Sequence, residues 1–570
     1  MTGPKAPKDP TKKKDGFYVM KNKNISASPT DDGKGVCFIY ESDGRLLNSA
    51  KLVGNIEDDE MLENLKTVTG LRKMVHGIGV TIESDNKDDS ATFVFQMYGK
   101  TDLYGSGSNI VSKVKMDGME QIINFEDIDW SDDDDVPGQI RFEFDQAGQK
   151  AAVSVKFYLN DGYVAPPIEE EFPIDFESDN YKKMIEKSLM YKGNNYRIKK
   201  AIDKAKAKKD TCVAFIGGSI TQGAGAVPIN TECYARKIYE GFCDIANVHY
   251  DENVKYIKAG VGGTPSEVGI LRYDKDVLEE GTPDLVIVEF AVNDEGDETK
   301  GDFYDSLVRK IYEGPGKPAV ILLFAVFAND WNLQERLKCV GESYNLPMVS
   351  TLDAVVEQFY LKPNTGRVLS KNQFFYDMFH PTNAGHKIMA DGVINLLKIM
   401  DLEEYDEEIK TLKDIKAPKS SEFENIYLID REHNEVNAHI EVGSFTDIDT
   451  DIQCVERNMD LKTLPEFANN WMYKGTSPDR AEFADFKMEI RCKAAVLAFK
   501  DSADNSVGKA RVFVDGKEVY YADPRVVGWT HCNAAILFRN EELKSHLIEV
   551  KMDDNSYDKD FTILGIGVVI

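Results

Sequence analysis

No Cys-x-x-Cys pair occurs among the eight cysteines (Cys37, Cys212, Cys233, Cys243, Cys339, Cys454, Cys492 and Cys532), so neither a zinc site nor a disulfide framework is indicated. Cys212 and Cys339 sit in apolar surroundings, as ordinary core thiols do. No apolar run approaches the roughly 18 residues of a membrane span, which sets a membrane enzyme aside. Positive charge is short: 69 Lys and Arg stand against 98 Asp and Glu, for a formal net charge of −29 that includes the run Asp132–Asp135. Such a chain repels polyanions, so no nucleic acid and no anionic membrane is expected as a partner, while a neutral substrate is compatible. The first residues, "MTGPKAPKDPTKKKDGFY", lack the apolar stretch of a signal peptide and read as a loose tail over 1–15; the expected location is the cytoplasm.

What is present is organised in blocks. At 570 residues the chain exceeds one core, and about three domains are expected. Residues 16–175 carry short β-rich runs such as "ATFVFQMYG", "IRFEFD" and "AAVSVKFYL" between Gly, Asp and Asn punctuation, the pattern of a β-sandwich. A helical connector follows over 176–209, with "YKKMIEKSLMY" and "YRIKKAIDKAKAKK" broken at "KGNN". Over 210–402 apolar strands ("CVAFIG", "DLVIVEFAV", "AVILLFAVF", "PMVSTL") alternate with amphipathic helices, which predicts a parallel sheet covered by helices on both faces. A polar linker, 403–422, leads to a second β-sandwich over 423–570. "KVKMDGMEQII" resembles "RVFVDGKEVYY", and a second pair of segments matches loosely in the same order, so a duplicated sandwich is one expectation and chance similarity of alternating strands is the other.

Within the α/β block, "VAFIGGSITQGAGA" (Val213–Ala226) ends a strand on a two-glycine turn that carries Ser219. Ligands of such sheets sit beyond the carboxyl ends of the strands. Gly217 and Gly218 let the chain turn and leave the hydroxyl uncrowded, although a plain helix N-cap would look the same. Later junctions add weight. "YIKAGVGGTPS" offers Gly260, Gly262 and Gly263 after a short strand, and "DLVIVEFAVND" ends a buried strand with the amide of Asn293. In "FFYDMFHPTNAGHKIMADG" Asp377 precedes His380 by three residues, so the carboxylate can accept from Nδ1 while Nε2 takes a proton.

These four blocks, in this order and after successive strands, resemble the SGNH hydrolases, also called GDSL-like esterases. Ser219 stands in the first block, Gly263 in the glycine block, Asn293 in Gly-x-Asn-Asp, and Asp377 with His380 in Asp-x-x-His, over roughly Thr211–Met400. Two positions depart: the Asp of Gly-Asp-Ser is Gly218 here, and the Gly of Gly-x-Asn-Asp is Ala291. Neither is a catalytic group. "GGSITQGAGA" beside β modules looks most like the bacterial carbohydrate acetylesterases. The resemblance implies a three-layer α/β domain with a flavodoxin-like parallel sheet, flanked by N- and C-terminal jelly-roll-like β-sandwich domains.

It also implies a mechanism: Ser219 as nucleophile, His380 as base, Asp377 as its orienting carboxylate, and an oxyanion hole from the N–H groups of Ser219 and Gly263 and the amide of Asn293. The scheme calls for no metal and no organic cofactor. Trp331 follows a strand of the block, where substrate contact and loop packing are both open. Trp529 and His531 of the last module are candidates for substrate binding, with packing inside that module as the alternative. His386 reads as a structural histidine on a helix face. The expected activity is removal of acetyl groups from xylo- or manno-oligosaccharides by a serine esterase. A lipase or thioesterase, and a noncatalytic carbohydrate-binding protein, are the alternatives; the oligomeric state stays open.

Overall fold

Every residue of the strand Thr211–Gly217 is buried, and the same holds for Leu285–Glu289 and Ala319–Phe324. Side chains alternate across a strand, so such strands must be covered on both faces. The computed structural model describes residues 3–168, 171–250, 252–456, 463–475 and 483–570. They form two compact units, Met1–Asp175 with Gln358–Gly385, and Phe176–Glu357 with His386–Ile570.

In the second unit, the six-stranded sheet runs Leu189–Tyr191, Met348–Ser350, Ala319–Phe324, Leu285–Glu289, Thr211–Gly217, Val254–Gly260. Its five sequence-consecutive parallel strands stand in the order 2-1-3-4-5, read from Val254–Gly260. The order reverses between Thr211–Gly217 and Leu285–Glu289, and a crevice opens at such a reversal beyond the carboxyl ends. Helices Tyr234–Ala246, Ser266–Tyr273, Asp302–Glu313 and Gln334–Tyr344 make the crossovers.

Two expectations about the flanks need adjusting. The segment read as a helical connector holds helices Asp179–Lys187 and Tyr196–Lys206, but between them Leu189–Tyr191 pairs antiparallel with Met348–Ser350 and adds an edge strand to the sheet. Three residues are too few for a period of two to register. The stretch 403–422 is irregular yet fastened down: Arg309 Nη1 donates to the carbonyls of Leu412 (3.0 Å) and Ile415 (3.2 Å), and Asp305 accepts from the N–H of Lys419 at 2.8 Å.

Most of the C-terminal strands join an antiparallel sheet built on two long members, Phe486–Asp501 and His531–Met552, which pair along their length with register shifts after Cys492 and Ala495, while Cys454–Glu456 and Thr463–Pro465 pair apart from it. Bulges of this kind bend a strand. One apolar cluster runs from the α/β side (Val268, Ile270, Leu271) to Ala494, Val496, Ala498 and Leu564 of this sheet, so the two parts share a core. No helix among the described residues is long and apolar enough to cross a membrane.

The first unit contains two antiparallel sheets, of four and five strands, around one core that includes Phe17, Phe93, Phe95, Phe142 and Phe157. Duplication of this module is not supported. "KVKMDGMEQII" places its two strands in different sheets, paired with Ser90–Gly99 and Val75–Glu83, whereas "RVFVDGKEVYY" is a hairpin paired with itself. The second match sets two strands of separate sheets against part of the single strand His531–Met552.

Candidate active site

Ser219 is the first residue of the short helix Ser219–Gln222, directly past the strand Thr211–Gly217. The strand end is held by a buried arginine. Arg272 Nη2 donates to the Gly217 carbonyl (2.8 Å), and Nη1 donates to the Ala259 carbonyl (2.8 Å) and to Asp276 (2.9 Å). A charge that deep persists only when paired and hydrogen-bonded; here it ties two neighbouring strand ends together. His386 is fully buried, bonded through Nε2 to the Ala224 carbonyl (3.0 Å) and through Nδ1 to the Tyr234 N–H (3.2 Å), which suits the structural role expected of it.

The second strand, Val254–Gly260, leads into a tight turn over Val261–Thr264, closed by the Thr264 N–H on the Val261 carbonyl at 3.3 Å. Gly263 has φ +69°, and a Cβ there would meet Trp529 Cζ2 at 2.9 Å and His531 Nε2 at 3.2 Å. Glycine is required on both counts. His531 packs edge-on to Trp529 (centroids 4.7 Å apart), and its Nδ1 is 3.1 Å from Asn533 Oδ1. Asn533 Nδ2 donates to Asp501 at 3.0 Å, and Asp501 also accepts the N–H groups of Val526, Val527 and Gly528. Burial lowers the His531 pKa, opposed by hydrogen bonds to the Gly263 backbone and Asn533. Trp529 keeps 42% of its surface exposed, so it is in contact with the glycine turn and still presents ring area to solvent.

Asn293 follows the third strand, on a turn in which its N–H and that of Asp294 both reach the Phe290 carbonyl. Its carboxamide lies against Gly218: a Cβ at 218 would stand 2.3 Å from Asn293 Oδ1. In this backbone, position 218 therefore has no room for a side chain while the Asn293 carboxamide keeps its place. Asp294 accepts the N–H and hydroxyl of Ser266, both at 2.8 Å, and so joins this turn to the helix after the glycine turn. Burial pushes the Asp294 carboxyl up to about 7 against the Ser266 bonds, and pushes the neighbouring Glu289 up to about 8.

Trp331 sits in a loop whose Phe327 N–H reaches its carbonyl at 3.0 Å, and its ring packs against the α/β core. The structure therefore gathers Ser219, Gly263, Asn293, Trp529 and His531 at one end of the second unit's sheet, with Trp331 packed in a loop of that unit.

Asp377 and His380 belong to the first unit. His380 Nδ1 is 2.8 Å from Asp377 Oδ2, while Asp377 Oδ1 accepts the N–H groups of Phe379 and His380, each at 2.8 Å. The three-residue spacing thus closes a small ring that sets both carboxylate and imidazole. Burial works against the Asp377 carboxylate, but the His380 ring, the Phe379 N–H and the Lys23 ammonium outweigh it and hold its pKa well below the usual carboxylate range. Lys23 reaches this loop from the strand Gly16–Ser26, its ammonium 4.3 Å from the Tyr376 ring centroid. Glu171 is a second tie, accepting from Asn372 at 3.1 Å and from Ser370. Arg272, Asp501, Lys23 and Gln453, whose amide reaches the Gly262 carbonyl, carry no motif and escaped the sequence reading. Among the described residues no group of three or more His, Cys, Asp or Glu is placed to hold a metal ion.

Residues 215–388 match the model of the GDSL-like Lipase/Acylhydrolase family. No curated protein matches the chain. Among solved structures, a two-domain esterase (CEX) active on acetylated mannans is 26% identical, with a TM-score of 0.55 over 68% of this chain and 99% of that one. The same esterase co-crystallised with mannopentaose gives 25% identity and a TM-score of 0.54 over 68% and 98%. The strand-end serine, the glycine turn, the asparagine and the Asp-His pair all lie within the matched span, so residues 215–388 are a domain that fits the GDSL-like lipase/acylhydrolase family model.

Proposed function

We propose that the protein is a serine carbohydrate acetylesterase acting on acetylated oligosaccharides, manno-oligosaccharides before xylo-oligosaccharides. The Ser219 hydroxyl attacks the ester carbonyl as His380 Nε2 takes its proton, and Asp377 fixes the ring and stabilises the imidazolium. Negative charge on the carbonyl oxygen is met by the N–H groups of Ser219 and Gly263 and by the Asn293 amide; each such donor contributes about 3–4 kcal/mol to lowering the barrier. The protonated His380 then delivers its proton to the leaving sugar hydroxyl, and water hydrolyses the acyl-enzyme by the reverse roles.

The observation that carries this reading is the Asp377–His380 ring. A carboxylate with one oxygen committed to two backbone N–H groups has its other oxygen directed at Nδ1 at 2.8 Å, the tautomer-setting arrangement that a base of this kind needs. The sugar preference is supported by the likeness to an esterase active on acetylated mannans and by the half-exposed Trp529 ring beside the glycine turn, a stacking face for a pyranose. The test is mass-spectrometric loss of 42 Da increments (about 42 per acetyl exchanged for hydrogen) from acetylated manno- and xylo-oligosaccharides, with Ser219→Ala as the control. Loss from mannans and not from the control supports the reading; unchanged masses throughout overturn it.

A further inference from the structure

The turn Val261–Thr264 holds the residue proposed as an oxyanion donor, and it contains an unusual freedom. In a four-residue turn the closing bond joins the first carbonyl to the fourth N–H, here Val261 and Thr264 at 3.3 Å, and leaves the central peptide out of the ring. Rotating that central peptide by about half a turn is what separates the two commonest turn types. The central peptide here is Gly262–Gly263, with a glycine at each end to permit the rotation, and Gly263 at φ +69° stands in the type II form. Its N–H and its C=O point in opposite directions because the peptide is planar. Whatever grips the Gly262 carbonyl therefore aims the Gly263 N–H.

That grip comes from the C-terminal part of the chain. Gln453 Nε2 donates to the Gly262 carbonyl at 2.6 Å, while Gln453 Oε1 accepts the Cys532 N–H at 3.1 Å. With one backbone acceptor and one backbone donor, the two ends of the amide are assigned without ambiguity. The Cys532 N–H belongs to the strand His531–Met552, which pairs with Phe486–Asp501 and shares the α/β core. The next residue of the turn, Gly263, is flanked by Trp529 and by His531 of that same strand.

We propose that Gln453 is a positioning residue for ester hydrolysis, holding the Gly262–Gly263 peptide so that its N–H faces the oxyanion, and that the C-terminal β module is thereby a working part of the active site. The inference rests on the serine-esterase reading above. A flipped peptide would present a carbonyl oxygen to the developing negative charge instead of a donor.

The experiment compares wild type with Gln453→Glu, Gln453→Ala and Ser219→Ala on p-nitrophenyl acetate and on an acetylated manno-oligosaccharide, with thermal melting of each. Ionised, the glutamate has no proton for the Gly262 carbonyl; protonated, it is isosteric with glutamine and donates again. The expected result is a fall in kcat of about 10–100-fold on both substrates with KM changed less than about threefold and melting preserved. The gap between wild type and Gln453→Glu should narrow as pH is lowered, with Gln453→Ala unresponsive. A wild-type kcat in Gln453→Glu, a loss confined to KM, or a gap independent of pH overturns the inference. Should Gln453→Ala fail to fold, Gln453→Glu alone carries the test. Activity retained by Ser219→Ala sinks the esterase reading itself, a result separate from any outcome at Gln453.

Discussion

Replacing Gly218 with alanine should inactivate the enzyme without removing any catalytic atom. A Cβ at this position would stand 2.3 Å from Asn293 Oδ1, 2.7 Å from Cγ and 2.8 Å from Nδ2, while ordinary contact begins at 3.4 Å. The carboxamide must therefore retreat by about 1 Å, and a misplacement of that size costs on the order of 10²-fold in rate. Full loss of one oxyanion donor costs about 10²–10³-fold, so kcat should drop by roughly 100-fold, with KM for p-nitrophenyl acetate little changed. The decisive assay is a double-mutant cycle. In an Asn293→Ala background the displaced group is gone, so Gly218→Ala should cost less than about threefold, a coupling of about 2–3 kcal/mol. Additive losses would mean that Gly218 acts on Ser219 or the backbone and not through Asn293; undiminished kcat in Gly218→Ala would refute the clash outright.

Trp529→Ala should discriminate between substrates. Covering roughly 60 Å² of ring face by a sugar at about 25 cal/mol per Å² amounts to about 1.5 kcal/mol, some tenfold in kcat/KM for acetylated oligosaccharides, and the small ester should lose less; equal losses on both would reduce Trp529 to a prop for Gly263. Glu289→Gln should flatten the dependence of stability on pH. The Glu289 carboxyl is raised by burial to about 8, so the native state holds a proton that the unfolded chain releases near about 4.3. Its contribution is complete below that lower value and is lost as pH climbs toward 8, on the order of 1 kcal/mol per pH unit. Urea denaturation at pH 5 and pH 8 should show a smaller difference for the variant; parallel behaviour would contradict the buried, protonated state.

The local setting of the candidate residues was more legible in the sequence than the architecture around them. Ser219, Gly263 and Asn293 announce themselves because each polar or glycine residue comes straight after an apolar strand, and Asp377 and His380 because three residues are enough to close their hydrogen-bonded ring. These are local signals. Strand partners are not local: alternation reveals that "KVKMDGMEQII" and "RVFVDGKEVYY" are both β, yet one splits between sheets and the other closes on itself. Leu189–Tyr191 was hidden by its length. Gln453 lies 191 positions from Gly262 in an irregular stretch, and nothing in "TDIQCVE" marks its amide as special until the fold brings it to the Gly262 carbonyl. The departure at Gly218 was visible in the sequence, but its close approach to the Asn293 carboxamide was not.

The most direct measurement is active-site labelling with a serine-directed phosphonate, read by peptide mass spectrometry on wild type, Ser219→Ala and His380→Ala. One adduct is expected, on the peptide carrying Ser219, absent from Ser219→Ala and formed at least about 10³-fold more slowly in a folded His380→Ala variant. An adduct on a different serine, or labelling of Ser219 at an undiminished rate without His380, would contradict it.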